Sequence, residues 1–320
     1  MAAANQFYFG NLAFDYKSDT MPFKKKIEIR EHGAPIYSVV GNGFSIFTSS
    51  GDRFVLHWNL KEGTQEHFSI KMDHTSYRLC YHNERLYIGS KKGEIYSIDT
   101  KKKTMIAQRM VDAKAIHSIL VGDKIMVGTE EGDLLFLDID TLEELKRLSL
   151  GAGKIRDLQF LDSNRLAIAG QDGYLRVILL DSYELEHQFT IHEKGANKLL
   201  IVGEELFSVG KDGYLRVWNW QEEKELHAWP IHYETIYDIR KVGEFIVTAS
   251  RDKSIKVWEY DGDLKLAQKI TSRLFGHSYS VNALHVIDAE NFCSVSDDKR
   301  IIWWSLETDE INLLDQLKAR

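Results

Sequence analysis

Seven stretches of this chain carry one pattern, written about forty residues apart. The clearest copy is KDGYLRVWNW, Lys211 to Trp220: a charged tight turn, Lys211-Asp212-Gly213, running into residues where apolar and polar side chains alternate. That is a turn entering a half-buried strand. The other copies are SGDRFVLHWN (50–59), KKGEIYSIDT (91–100), EEGDLLFLDI (130–139), QDGYLRVILL (171–180), RDKSIKVWEY (251–260) and SDDKRIIWWS (296–305). The last strongly apolar residue of each strand, Trp58, Ile98, Leu137, Ile178, Trp218, Trp258 and Trp304, marks the period, with successive spacings of 40, 39, 41, 40, 40 and 46. A short-strand repeat of that length cannot bury its own faces and must stack on its neighbours. The expected fold is all-β, a seven-bladed β-propeller of four-stranded antiparallel blades.

Four copies share more than strand pattern. They place His32, Thr48, Asp52 and Trp58; His192, Ser208, Asp212 and Trp218; His232, Thr248, Asp252 and Trp258; and His277, Ser294, Asp298 and Trp304 in constant register. His to Ser/Thr is 16, 16, 16 and 17 residues, and Ser/Thr to Asp is four throughout. In this the chain resembles the WD-repeat (WD40) propellers, from about Lys24 to Leu306. The resemblance implies that each quartet forms one hydrogen-bonded structural relay. Blades two, three and four depart from the pattern, with Ile88, Lys92 and Ile98, with Val127, Glu131 and Leu137, and with Ile168, Asp172 and Ile178. Apolar packing is expected to replace the relay there.

An unbroken repeat over nearly all 320 residues argues for one closed ring, and three prolines with no Ser/Gly-rich run leave no linker. The formal charge of −7 supplies no pull toward nucleic acid or an anionic membrane, so neither is expected as a partner. Cys80 and Cys293 are too few and too far apart for a disulfide framework and read as unpaired thiols. The amino terminus lacks a basic segment followed by a long apolar run. These features suggest a cytoplasmic protein, monomeric unless held in a complex.

Taken in order, residues 1–22 form an apolar extension expected against the outside of the ring, 23–306 the propeller, and 307–320 a tail packed farther out. The strand Lys24 to Arg30, just ahead of His32, is expected to close the last blade by pairing with roughly Arg300 to Trp304. Closure removes the exposed edges that template aggregation. Thr308 to Leu314 competes for that edge. The inner strands are the apolar ones, such as Ile116 to Val121 and Ile236 to Val242, and the outer strands, such as Glu144 to Leu148, are charged. The spacing of 46 places five additional residues between Trp258 and His277, within GDLKLAQKITSRLFGH. This longer connection enters the narrow face that the family uses for contacts.

Catalytic and metal motifs are missing from the sequence. There is no H-x-x-H or H-E-x-x-H spacing, no Gly-x-Ser-x-Gly, phosphate loop or dinucleotide fingerprint. The Ser-His-Asp sets recur in four blades, and an active site has no reason to be repeated four times. No enzyme activity and no cofactor are expected. The surface remains. In the resembled family the residue before each turn Asp and the loop around each relay His project onto the top face. Here these positions offer Lys91, Lys211, Tyr233, Arg251, Tyr279 and Asp297 for protein binding, and Tyr and Arg are residue types that dominate interface energetics. Lys211 and Arg251 are expected to flank Tyr233. The leading reading is a non-enzymatic scaffold binding a protein or peptide partner through that face. The rivals are an enzyme or small-ligand binder using the central channel, and an obligate structural subunit of a larger complex.

Overall fold

The structure, a computed structural model, describes residues 21–307. The expectations for residues 1–20 and for Thr308 to Leu314 lie outside the described residues. Within them, every stretch of alternating residues becomes a strand, and the strands group into seven four-stranded antiparallel sheets. Six sheets are built from consecutive strands, as in Ile36–Asn42, Ser45–Ser50, Phe54–Asn59 and Thr64–Lys71 of blade one. The seventh takes its outer strand from the start of the chain: Phe23–Ile29 lies beside Ile301–Leu306, followed by Asn291–Ser296 and Val281–Val286. The register places Lys25 opposite Trp304, Glu28 opposite Ile302 and Ile29 opposite Ile301. Phe23, fully buried, anchors this latch, because its N–H donates to Gln268 Oε1 (2.9 Å) and its carbonyl accepts from Gln268 Nε2 (2.8 Å).

The hydrophobic core is not one mass but seven, each filling the space between two adjacent blades. Trp58 packs with Ile29, Cys293 and Ile301 of blade seven, Trp218 with Ala167 and Leu175 of blade four, and Trp304 with Val247 and Val257 of blade six. The large residue of each third strand therefore wedges against the preceding blade. Where no Trp is present, Ile98, Leu137 and Ile178 do the same.

Around the axis the inner strands contact one another in order, and the last meets the first. Each has a register shift at its second residue, at Tyr37, Tyr77, His117, Arg156, Asn197, Tyr237 and Asn282. A bulge leaves one residue out of the ladder and re-aims its side chain. Beside these bulges every blade junction carries a side-chain to backbone hydrogen bond. Ser38 Oγ accepts from Leu79 N, Arg78 Nε donates to the His117 carbonyl, and Ser118 Oγ donates to that of Ile155. Asp157 accepts from Leu199 N, Asn197 donates to the Ile236 carbonyl, Asp238 accepts from Leu284 N, and Asn282 donates to the Ile36 carbonyl. Such bonds give partners to backbone groups where the strand edges crowd.

Most outer strands are wet, but Leu264–Ile270 of blade six is half buried, and its Gln268 bonds to Phe23 of the closing strand. The additional residues after it form a single 3₁₀ turn, Ser272–Leu274, ending at Phe275 in the left-handed region with its ring exposed.

Candidate binding face

In blade one, His32 Nδ1 lies 2.8 Å from Asp52 Oδ2 and His32 Nε2 lies 2.8 Å from Thr48 Oγ1, which accepts from Trp58 Nε1 at 2.7 Å. The same chain of contacts joins His192, Asp212, Ser208 and Trp218. It joins His232, Asp252, Thr248 and Trp258, and again His277, Asp298, Ser294 and Trp304. With a neutral imidazole the chain reads in one direction: Trp N–H donates to the hydroxyl oxygen, the hydroxyl donates to Nε2, and Nδ1–H donates to the carboxylate. In blade five Arg216 Nη1 also lies 2.7 Å from His192 Nδ1. Burial holds His232 and His277 below the usual histidine range despite their carboxylate partners. The carboxyls move the same way: burial alone would raise Asp212, but His192 and Arg216 bring it down to about 2. Asp252 and Asp298 are likewise held well below the usual carboxylate range by their histidines, with Ser254 and Arg300 assisting. The four relay hydroxyls have 0% exposure, so no substrate can reach them as it would a catalytic serine.

Sequence reasoning missed the cations behind the relay. Arg216 contacts Asp212 at 2.7 Å and Arg300 contacts Asp298 at 2.6 Å, while Lys256 donates to the Ile231 carbonyl under the loop of His232. The signal was present in sequence as a basic residue four positions after Asp172, Asp212 and Asp252. Blades two to four also hold more polar structure than the apolar replacement expected of them. Ile88 and Ile98 are buried as anticipated, yet His74 Nδ1 sits 3.1 Å from Glu94, which accepts from Ser90 Oγ at 2.6 Å. His74 and Glu94 keep the twenty-residue spacing of a relay His and Asp, both displaced along the chain. In blade four Asp172 pairs with Arg176 at 2.6 Å.

The six proposed top-face residues have different neighbours. Tyr233 is 89% exposed, with its N–H donating to Asp252 Oδ2 (3.3 Å). The cations at its ring are Lys256 and Lys269, at 6.0 and 5.9 Å, rather than Lys211 and Arg251, which were expected to flank it. Arg251 instead faces Glu234 at 3.5 Å, and Lys211 is held below its usual range by burial and by the charges of Arg156 and Lys154. Tyr279 and Asp297 line a cleft of about 620 Å3 beside Phe275 and the closing strand. Lys91 lines a separate cleft of about 560 Å3 with Tyr77, Lys92, Lys114, Glu130 and Lys154.

Charges on the inner strands were also unforeseen, since those strands had been taken as apolar. Arg78, Asp157, Lys198, Asp238 and Arg240, from blades two, four, five and six, interact electrostatically across the axis. Lys198 Nζ meets Asp157 at 2.5 Å, and Arg240 Nε meets Asp238 at 3.2 Å. Among the described residues no three His, Cys, Asp or Glu side chains group as metal ligands, and no helix is long and apolar enough to cross a membrane. Burial pushes the Cys80 thiol up to about 12, and Cys293 is raised further by complete burial.

Against known proteins, the family model for the WD domain, G-beta repeat, matches residues 223–259. Among solved structures, the WD40 β-propeller domain of Doa1 superposes with a TM-score of 0.78 at 17% identity, covering 90% of this chain and 98% of that one. The chain is a seven-bladed propeller that carries a WD repeat. WD-repeat propellers are in general protein-interaction scaffolds and typically non-enzymatic. The matched segment spans the end of blade five and most of blade six, around the quartet of His232.

Proposed function

We propose that this chain is a non-enzymatic scaffold that binds a protein or peptide through the top face of the ring. The observation that carries this reading is the pairing of rigid loops with exposed aromatic rings. Tyr233 and Tyr279 follow closely on relay histidines that are themselves buried, so the loops are tied down while the rings stand in solvent. Aromatic groups held in place contribute contact area at small entropic cost. A second reading, a small anion held in the channel, is favoured by the charged groups on the axis. The test is affinity capture from the native cell with three forms of the chain: wild type, a top-face variant carrying Lys211→Glu, Arg251→Glu and Tyr233→Ala, and a control reversing Lys101 to Lys103 in the loop between Glu94–Asp99 and Thr104–Met110. Loss of partners in the top-face variant alone supports the proposal. A folded top-face variant that keeps every partner while the control loses them overturns it.

A further inference from the structure

The three blades without the WD quartet carry an unusual excess of unpaired positive charge at the top mouth of the channel. In the cleft of about 560 Å3, Lys91, Lys92 and Lys114 make no ion pair among the described residues. The bulges of the next two inner strands place His117 and Arg156 beside it, and both His117 Nε2 and Arg156 Nε are buried without a hydrogen-bond partner. Lys211 adds its charge beside Arg156 and Lys154, and burial, with the charges of Lys154, Arg78 and Arg156, drives the His117 imidazole down to about 4. In the cleft itself Glu130 bridges Lys154 at 2.9 Å and approaches His117 Nε2 at 3.8 Å, while Arg78 faces Asp157 and Asp238 on the axis. Glu131 is turned to the Lys114 backbone N–H at 3.1 Å.

Building on the proposed scaffold function, we propose that this crater receives a phosphorylated side chain of the partner polypeptide, which displaces Glu130 from Lys154. A carboxylate is already in place, and it leaves Arg156 Nε and three lysines unserved. A phosphate monoester brings ≈ −1.5 to −2 charges and three acceptor oxygens, and so can meet more of these donors at once. The cleft volume falls within the range of about 300–1,000 Å3 typical of specific sites. A polypeptide source fits the wall of the crater: Tyr77 stacks on His117 (6.0 Å, 10°) and meets Tyr37 edge-on (5.3 Å), an aromatic strip suited to the residues flanking the phosphate.

The test uses the full chain and two degenerate peptide libraries that differ only in phosphorylation of the central serine, with inorganic phosphate and inositol hexakisphosphate as free competitors. Retention of the phosphorylated library at least tenfold over its counterpart is expected. That preference should vanish in Arg156→Gln and in the exposed pair Lys91→Gln with Lys114→Gln, whose folding is not in question, and should rise severalfold in Glu130→Gln. Equal retention of the two libraries, or a preference that survives the lysine pair, overturns the proposal. Tight binding of inositol hexakisphosphate without peptide preference overturns the polypeptide source. If natural partners are lost from the Lys211, Arg251 and Tyr233 variant yet neither library is preferred, the scaffold reading stands and this inference falls. Discrimination between libraries alongside partners indifferent to the top face would instead remove the scaffold reading for those partners.

Discussion

His232 shows how much one relay residue is asked to do. It joins a loop, a second strand, a turn and, through Thr248, the Trp258 ring wedged against blade five. Leaving such partners unsatisfied costs ~1–3 kcal/mol, so His232→Gln should lower the unfolding free energy by that much at neutral pH, read as an earlier denaturant midpoint. Acid should narrow the difference. Burial holds the folded-state pKa of His232 below its unfolded value, so below about pH 6.5 the unfolded chain takes up a proton that the folded chain refuses, and wild-type stability declines. The variant lacks that contribution to the decline. Denaturation at pH 7.5 and pH 5.0 should show a smaller gap at the lower pH, and an equal or wider gap would contradict the neutral imidazole assigned to the relay. Asp252 acts with the same sign only at lower pH, since its depressed carboxyl loses its advantage below about pH 4.

At the level of the element, the turn between second and third strands is the part most legible in the sequence. Asp-Gly pairs marked it in blades four and five, and its third residue takes positive φ in every blade, at Arg53, Gly93, Gly132, Gly173, Gly213, Lys253 and Lys299. Side-chain tolerance differs between copies. At Gly213 (φ 78°) an added Cβ would lie 2.3 Å from the His232 carbonyl oxygen, so Gly213→Ala should cost more than the ~1 kcal/mol of left-handed backbone alone. Lys253 already holds φ 69°, and Lys253→Gly should be neutral or stabilising by up to about 1 kcal/mol. Thermal unfolding of the two variants checks both signs, and a Gly213→Ala protein as stable as wild type would refute the close approach. Inner strands were less legible. The apolar run from Ile155 to Phe160 reads as a strand in the sequence and Ser76–His82 does not, and neither pattern can say that Arg78 and Arg156 meet, because that depends on how seven strand edges converge. The crater on blades two to four was missed for a related reason: Tyr77, Lys114 and Lys154 stand far apart in sequence and share a cleft only once three blades are side by side.

For the whole molecule, the period fixed the number of blades and the position of the segment ahead of His32 marked it as an outer strand, whereas its pinning by Gln268 of blade six came from packing alone. A chain beginning at Arg30 would uncover the edge of Ile301–Leu306 with Ile302 and Trp304 beside it. Such an edge pairs with other chains. The shortened chain should therefore elute as oligomers and unfold at lower temperature, and a peptide of residues 21–30 added in trans should reverse both. An unchanged monomer would show that the latch contributes little. The latch also joins residues made far apart in time: Ile29 pairs with Ile301, made 272 residues later. At synthesis rates of ~5–20 residues per second, the first strand leaves the ribosome and waits on the order of ten seconds to a minute for its partner. During that interval nascent blades can form in turn behind it, but the ring remains open until Ile301–Leu306 has been made. Phe23, Ile27 and Ile29 are then apolar surface that the cell must keep from meeting a neighbouring polysome's product first.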